Sequence, residues 1–447
     1  MPRNIEDLIV TGVQAGDTKD KSKGLYIIPY NKPSETQMAI EEDAVKGNLA
    51  PKGPEADIIL VDSTDTIRTP LSIAQIKRDH YLITTKAGVH LVKRDETGSK
   101  QRQLFDFSRK IWKVLGSVGV KRHDKRSLEE DLRRFGKVVP EKMSLAQVNR
   151  MNSNEFLLSL FTESQVGETY REDKELNPMG TFYWRFKREI DDSFFDEKNK
   201  LGSLVEASYT GWTPTNFTRV QEIGGIEHTI MPNRNALDII DHKIIDGKTM
   251  FNEIVKTYTF GEEGSKEAII SYDVMDNIAA AVLVDYDGEK FSIEIQQEDR
   301  KIRLASGTLN SVSEWPKSIK LMRHKEKIYC LVGCYRGAVY TIDCGKESLN
   351  PEGKITNING FLPYKERRSK ECSGSSDKHS IKEMLSGANS GHEIVLYCSN
   401  LLFKVKPDYF IKMNQPFYDG PVYSRLLEKA TLPHRVMTVT FDRSHSK

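Results

Sequence analysis

The chain has 447 residues, 38% of them hydrophobic and 29% charged, with a formal net charge of +2. That is enough apolar material for a sizeable core, so composition excludes a chain disordered as a whole, and the near-neutral balance excludes a strongly basic or acidic protein while leaving local patches open. The length exceeds one ordinary domain, except in closed β architectures, where radial repetition extends a core without thickening it.

The opening MPRNIEDLIV carries charges where a secretory leader needs an apolar centre. The longest apolar run, about IAAAVLV at 278–284, is far short of a membrane span. The expectation is a soluble cytoplasmic protein with no membrane association. Five cysteines, Cys330, Cys334, Cys344, Cys372 and Cys398, form an odd set in such a compartment, so reduced thiols are expected.

In chain order, IEDLIVTGVQAGDTKDKSKGLYIIPY (5–30) places two apolar runs about a polar loop that ends at Gly24. Residues 31–56 are polar, with Pro33, Pro51 and Pro54, and read as a loop insertion. DHYLITTKAGVHLVKRD (79–95) predicts strands over Tyr81–Thr85 and Val89–Lys93 about Lys86-Ala87-Gly88.

Residues 100–126, KQRQLFDFSRKIWKVLGSVGVKRHDKR, hold nine Lys or Arg against Asp106 and Asp124, so the remainder of the chain is net negative. Phe105, Phe107 and Trp112 lie among the charges. Basic groups release counterions from phosphates and aromatic faces stack on bases, so the mixture suits RNA or another polyanion. The candidate contacts are Arg109, Lys110, Trp112, Lys113, Lys121, Arg122, Lys125 and Arg126. The competing reading makes the aromatics core residues of a strand and the charges its solvated face.

SLEEDLRRF and SLAQVNRM, within 127–150, each open on a capping box, Ser127 with Glu130 and Ser144 with Gln147, and predict two short helices. NEFLLSLF and MGTFYWRFKRE (154–189) read as a strand pair with an expanded turn. DIIDHKIIDGK (238–248) gathers Asp238, Asp241, His242 and Asp246, the residue types of a general base with an orienting acid. Adjacent residues on a strand face opposite ways, however, and the isoleucine pairs predict two short strands about a turn.

NIAAAVLVDYDGEKFSIEIQ (277–296) is a further hairpin. Its turn sets Asp285, Asp287 and Glu289 at alternate positions, without the distant carboxylate that a calcium loop requires. KIYCLVGCYRGAVYTIDC (327–344) turns at Tyr335-Arg336-Gly337. Cys330, Cys334, Cys344 and nearby His324 offer the residue types of a zinc site, although small apolar side chains packing a strand are the better account of the cysteines. Residues 365–390 begin as a polar Ser-rich loop and then predict a short helix capped by Ser380 with Glu383. GHEIVLYCSNLLFKVKPD (391–408) turns at Ser399-Asn400, and HRVMTVTF (434–441) is a last strand that could complete the sheet begun by DLIV.

A lone hairpin is barely stable in water, so six of them with little helix between must stack on one another. At this point the chain resembles β-propeller proteins of the WD40 or quinoprotein-like type, in pattern rather than in motif: no tryptophan is followed by Asp. The resemblance implies an all-β propeller of about seven four-stranded blades, with six to eight fitting the length. It would form a single domain over 1–447 with helical and loop insertions at 31–56, 127–150 and 365–390, its ring closed by N- and C-terminal strands. The alternative is a β-sandwich plus an α+β domain. No HExxH, GxSxG or Walker loop is present, and no cofactor, metal or small-molecule ligand is implied. The expected function is a non-enzymatic scaffold or adaptor that binds a protein partner through loops on one face. The alternatives are RNA or ribonucleoprotein binding through 100–126, and an enzyme with its site at the channel mouth.

Overall fold

The computed structural model describes residues 8–13, 24–29, 59–60, 67, 69–77, 79–85, 88–95, 98–106, 143–152, 155–162, 181–210, 219–245, 249–262, 264–285, 287, 289–308, 316–324, 326–334, 339–344, 383–386, 394–398, 401–405 and 426–442. Among them the strands form seven antiparallel sheets. Sheet 1 joins β1 (Leu8–Val13), β2 (Leu25–Pro29) and β3 (Ile59–Leu60), and β1 also pairs with the last strand of the chain. Sheet 2 holds β4 (Pro70–Lys77), β5 (His80–Thr85), β6 (Gly88–Asp95) and β7 (Gly98–Asp106). Sheet 3 holds β8 (Met143–Asn152), β9 (Glu155–Thr162), β10 (Thr181–Phe186) and β11 (Val205–Thr210).

Sheet 4 runs β12 (Arg219–Ile223), β13 (Ile226–Asn233), β14 (Ala236–Ile245) and β15 (Thr249–Thr259). Sheet 5 runs β16 (Ala268–Met275), β17 (Ile278–Asp285), β18 (Lys290–Gln297) and β19 (Arg300–Thr308). Sheet 6 has β20 (Pro316–His324), β21 (Lys327–Cys334) and β22 (Val339–Asp343). Sheet 7 has β23 (Glu383–Ser386), β24 (Ile394–Cys398), β25 (Leu401–Val405) and β26 (Leu426–Thr431), after which β27 (Val436–Asp442) returns to sheet 1.

All six expected strand pairs are present in register. They are β1 with β2, β5 with β6, β9 with β10, β17 with β18, β21 with β22, and β24 with β25. The expected last strand is β27, which lies antiparallel to β1 from Leu8↔Asp442 to Val13↔Val436.

Three expectations need correction. SLAQVNRM is not a helix, because Met143–Asn152 is a strand paired with β9 from Met143↔Thr162 to Asn152↔Glu155. The helix expected after Ser380 is likewise strand β23, paired with β24. A capping box is a signal four residues wide, and ladder pairing to a neighbouring strand outweighs it. Third, Asp238–Ile245 is not two strands about a turn but part of one strand, β14. It is paired throughout with β15, and a register shift between Ile239 and Ile240 leaves Val255 as the extra residue opposite. The loop at 31–56 and the helix opening at Ser127 lie outside the described residues.

Three of the tight turns between first and second strands hold residues other than glycine in left-handed backbone. Asp79 (φ 57°), Asp276 (φ 53°) and Glu326 (φ 67°) join β4 to β5, β16 to β17 and β20 to β21. Such residues suit two-residue hairpin loops, whose twist matches that of the flanking strands.

The second strands carry the core. In β17 every residue from Ile278 to Val284 is buried. Ile278, Ala280, Val282 and Val284 face a cluster shared with sheet 6, including Ile319, Leu321, Cys330 and Val332. Ala279, Ala281 and Leu283 face the opposite way, onto Ile230, Leu237, Ile239, Tyr258 and Phe260 of the sheet 4 region. Period-2 alternation thus delivers one strand's side chains to two neighbouring sheets. Another cluster joins Leu25 and Ile27 of sheet 1 to Ile73, Tyr81, Ile83 and Val92 of sheet 2.

First strands abut in succession: β27 and β1 lie against β4, β4 against β8, β8 against β12, β12 against β16, β16 against β20, and β20 against β23. Among the described residues no helix is long and apolar enough to cross a membrane.

Candidate functional site

Where β12, β16 and β20 meet, three charged side chains from three sheets converge. Asp273 on β16 has a side chain only 2% exposed. Its Oδ2 accepts from the Leu321 backbone amide at 2.8 Å and lies 3.0 Å from Lys320 Nζ. Its Oδ1 accepts from Arg219 Nη2 at 3.4 Å. The Arg219 guanidinium lies over the Tyr272 ring, 4.1 Å from its centroid. Burial pushes the Tyr272 hydroxyl well above its ordinary pKa, and that hydroxyl donates to the Ile230 carbonyl at 3.0 Å.

Two residues before Asp273, Ser271 Oγ accepts from the Ile319 amide at 3.1 Å. Alternate side chains of β16 therefore satisfy alternate amides along the edge of β20. A sheet edge otherwise presents a row of unpaired backbone donors, so this is edge protection by a neighbouring sheet.

A second buried carboxylate joins sheets 4 and 5. Glu294 on β18 accepts from the Gly261 amide at 2.6 Å through Oε2 and from Arg303 Nε at 2.8 Å through Oε1. Arg303 also pairs with Glu267 at 3.6 Å, and Ser292 Oγ donates to the same Glu267 carboxylate at 2.8 Å. Thr259 donates its amide to Gln296 Oε1 at 2.7 Å.

The connection from β10 to β11 reaches back over sheet 2. A 3-10 turn at Asp192–Phe195, and the residues that lead from it to a short helix at Leu201–Leu204, present main-chain carbonyls to Arg102. Arg102 Nη1 donates to Phe194 at 2.9 Å and Asp196 at 3.1 Å, and Nη2 donates to Asn199. Lys93 and Lys100 pair with Asp192 at 2.5 and 3.5 Å, and the Lys93 hydrogen bond holds that carboxyl below the usual carboxylate range. Phe194 is fully buried, edge-on to Phe186.

His90 on β6 is buried beside Thr85, with Thr85 Oγ1 3.4 Å from its Nε2. Burial lowers its pKa to about 4, against an opposing pull from Asp106. The imidazole is therefore neutral near pH 7.

The positions singled out for nucleic acid or an acidic partner, Arg109, Lys110, Trp112, Lys113, Lys121, Arg122, Lys125 and Arg126, lie outside the described residues. At the front of the same segment, Lys100 and Arg102 are engaged with 192–199. Cys330, Cys334 and Cys344 are buried free thiols packed in one apolar cluster. A hydrogen bond to Cys344 and burial both push the Cys330 thiol upward, which marks it as a packing residue rather than a nucleophile. Asp285 and Asp287 form a turn, with the Asp287 amide donating to Asp285 Oδ1 at 3.1 Å and Lys266 pairing with Asp287. Asp238 accepts from Thr257 Oγ1 at 2.7 Å, across to β15. Among the described residues no group of three or more His, Cys, Asp or Glu is placed to hold a metal ion.

Sequence reading passed over Arg219, Asp273 and Lys320. Asp273 is the single charge of β16, but Arg219 shares β12 with Glu222 and Lys320 shares β20 with Lys317 and Arg323, and no local spacing links positions so far apart.

No protein-family model matches the chain, and no curated relative matches it. Solved structures to which it bears a likeness include a provisionally assigned 6-phosphogluconolactonase from Bacteroides fragilis, with 9% identity, 99% of each chain covered and a TM-score of 0.49. AztD of Citrobacter koseri has 8% identity, 98% of each chain covered and a TM-score of 0.39. The WD40 β-propeller domain of Doa1 has 9% identity, 82% of this chain and 83% of that one covered, and a TM-score of 0.38. All three scores fall below 0.5, so none assigns an activity to this chain.

Proposed function

We propose that the seven sheets are the blades of a closed β-propeller, and that the protein is a non-enzymatic scaffold binding a macromolecular partner through loops on one face of the ring. Closure is supported by the abutting first strands and by residues 432–435, which lead from sheet 7 directly into β27 of sheet 1. The observation that carries the functional reading is the use made of buried charge. Asp273 and Glu294 hold backbone amides of neighbouring sheets or connections, together with cations, rather than facing a second acid or base. Polar side chains fixed in this way build a rigid frame, and a rigid frame leaves recognition to the connections it displays.

The test is a quantitative pull-down from the native cells, comparing the full chain with variants in which 107–142 or 163–180 is replaced by a short Gly-Ser linker. Loss of a stoichiometric partner from a variant that melts normally is the expected result. A partner retained equally by both variants overturns the loop reading. Turnover in a broad hydrolase and lyase screen would favour a channel-mouth enzyme instead.

A second reading is RNA or ribonucleoprotein binding through Arg109 to Arg126. It is favoured by the excess of basic over acidic residues in 100–126, which continues past the two side chains already engaged, Lys100 and Arg102. Changing Lys121, Arg122, Lys125 and Arg126 to Glu should weaken RNA binding and flatten its salt dependence. An unchanged affinity removes the segment from consideration.

A further inference from the structure

We propose that the Arg219–Asp273–Lys320 cluster is a binding site for a compact oxyanion of the phosphate type, either free or carried on a larger ligand. The inference goes beyond partner binding and does not depend on it. Among the described residues two cations share one carboxylate, so the cluster carries one uncompensated positive charge there in a partly desolvated position, where an anion is the natural complement.

The donors are also undersubscribed. A guanidinium offers five N–H groups and an ammonium three. Arg219 spends Nη2 on Asp273, and its Nε is buried with no hydrogen-bond partner among the described residues. Stacking on Tyr272 holds the guanidinium plane in place.

Access differs across the cluster. The Arg219 and Lys320 side chains are 28% and 16% exposed, whereas Asp273 is 2% exposed. A ligand arriving from solvent therefore meets the cations, with the carboxylate behind them. The other polar side chains nearby are already engaged. Ser271 takes the Ile319 amide, Gln221 donates to the Val274 carbonyl, and Asp276 is paired with Arg323 at 2.7 Å.

The test is calorimetric titration of the full chain at low ionic strength with inorganic phosphate and, separately, glycerol 3-phosphate. One saturable site is expected, weakened about tenfold or more by Arg219→Gln or Lys320→Gln, since a charge-assisted hydrogen bond is worth at least one such factor. Lys320→Arg should retain binding, and Arg323→Gln, which touches only the exposed pair with Asp276, should leave it unchanged. Phosphate alone binding means a site closed around the free anion, and both probes binding means one open to a larger phosphorylated ligand. Absence of saturable binding overturns the proposal, as does binding undiminished in glutamine variants with normal melting. If Arg219→Gln does not fold, the contrast between Lys320→Gln and Lys320→Arg decides. Partner retention is read in a different assay, so failure here leaves the scaffold reading intact.

Discussion

Asp273 accepts the backbone amide of Leu321 at 2.8 Å, so a side chain of one sheet completes the hydrogen bonding of the next sheet's edge strand. Removing it should be costly twice over, because the amide loses its acceptor while Arg219 and Lys320 lose their counter-charge. Asp273→Ala should destabilise the chain by about 3–5 kcal/mol, the range for breaking a buried pair by deleting one partner. Asp273→Asn keeps an acceptor for Leu321 and should cost less. Chemical denaturation of the three proteins checks this, and equal losses for Ala and Asn would show that the amide bond contributes nothing.

His90 makes stability depend on pH in a defined window. Its pKa is about 4 in the fold against 6.5 when unfolded, with burial as the main cause. Between those values the unfolded chain binds the proton and the folded chain does not, so stability rises with pH there. The contribution is complete above pH 6.5 and is lost as pH falls toward 4, by about 3 kcal/mol in all. Stability of the wild type minus that of His90→Gln should follow this curve between pH 4 and 7. A pH-independent difference would mean that the imidazole already titrates normally in the folded chain.

How much of this was legible in the sequence follows from the range of each signal. Hairpins are local, so runs such as IAAAVLV beside FSIEIQ disclose both the pairing and the doubly buried second strand. Gly224-Gly225, at φ 61° and 83° between Ile223 and Ile226, is an equally local signal for the turn from β12 to β13. β8 and β23 read as helices from sequence because a capping box resembles a few polar residues entering a strand, and only the pairing partner decides. Asp273, Arg219 and Lys320 were illegible because their meeting depends on three sheets being side by side. The only trace is a charge embedded in AIISYDVM, a strand otherwise largely buried.

Gly12 of sheet 1 lies directly against Pro70 of sheet 2. A Cβ built there would lie 2.6 Å from Pro70 Cβ and 3.0 Å from Thr438 Cγ2. Proline is rigid and both neighbours belong to strands, so neither can swing away as a flexible side-chain tip would. Gly12→Ala should cost about 1–3 kcal/mol through overpacking. Pairing it with Pro70→Ala should recover part of that loss if the contact is the cause. Full additivity of the two changes would place the strain elsewhere.

Arg102 holds the β10–β11 connection by shape as much as by charge. Its fork reaches three carbonyls, those of Phe194, Asp196 and Asn199, and no carboxylate is needed for the anchoring. A lysine offers a single point of donation from a flexible stem and cannot span carbonyls so spaced. Arg102→Lys should therefore behave nearly like Arg102→Ala, each costing about 2–3 kcal/mol for the carbonyls and packing lost. The local consequence should be faster amide exchange and easier proteolysis over 191–200, ahead of any change elsewhere. By contrast, Asp192→Asn removes only the exposed pairs with Lys93 and Lys100 and should leave protection of that segment almost unchanged. If Asp192→Asn loosens the segment as much as Arg102→Ala does, surface charge rather than the buried guanidinium is what holds it down.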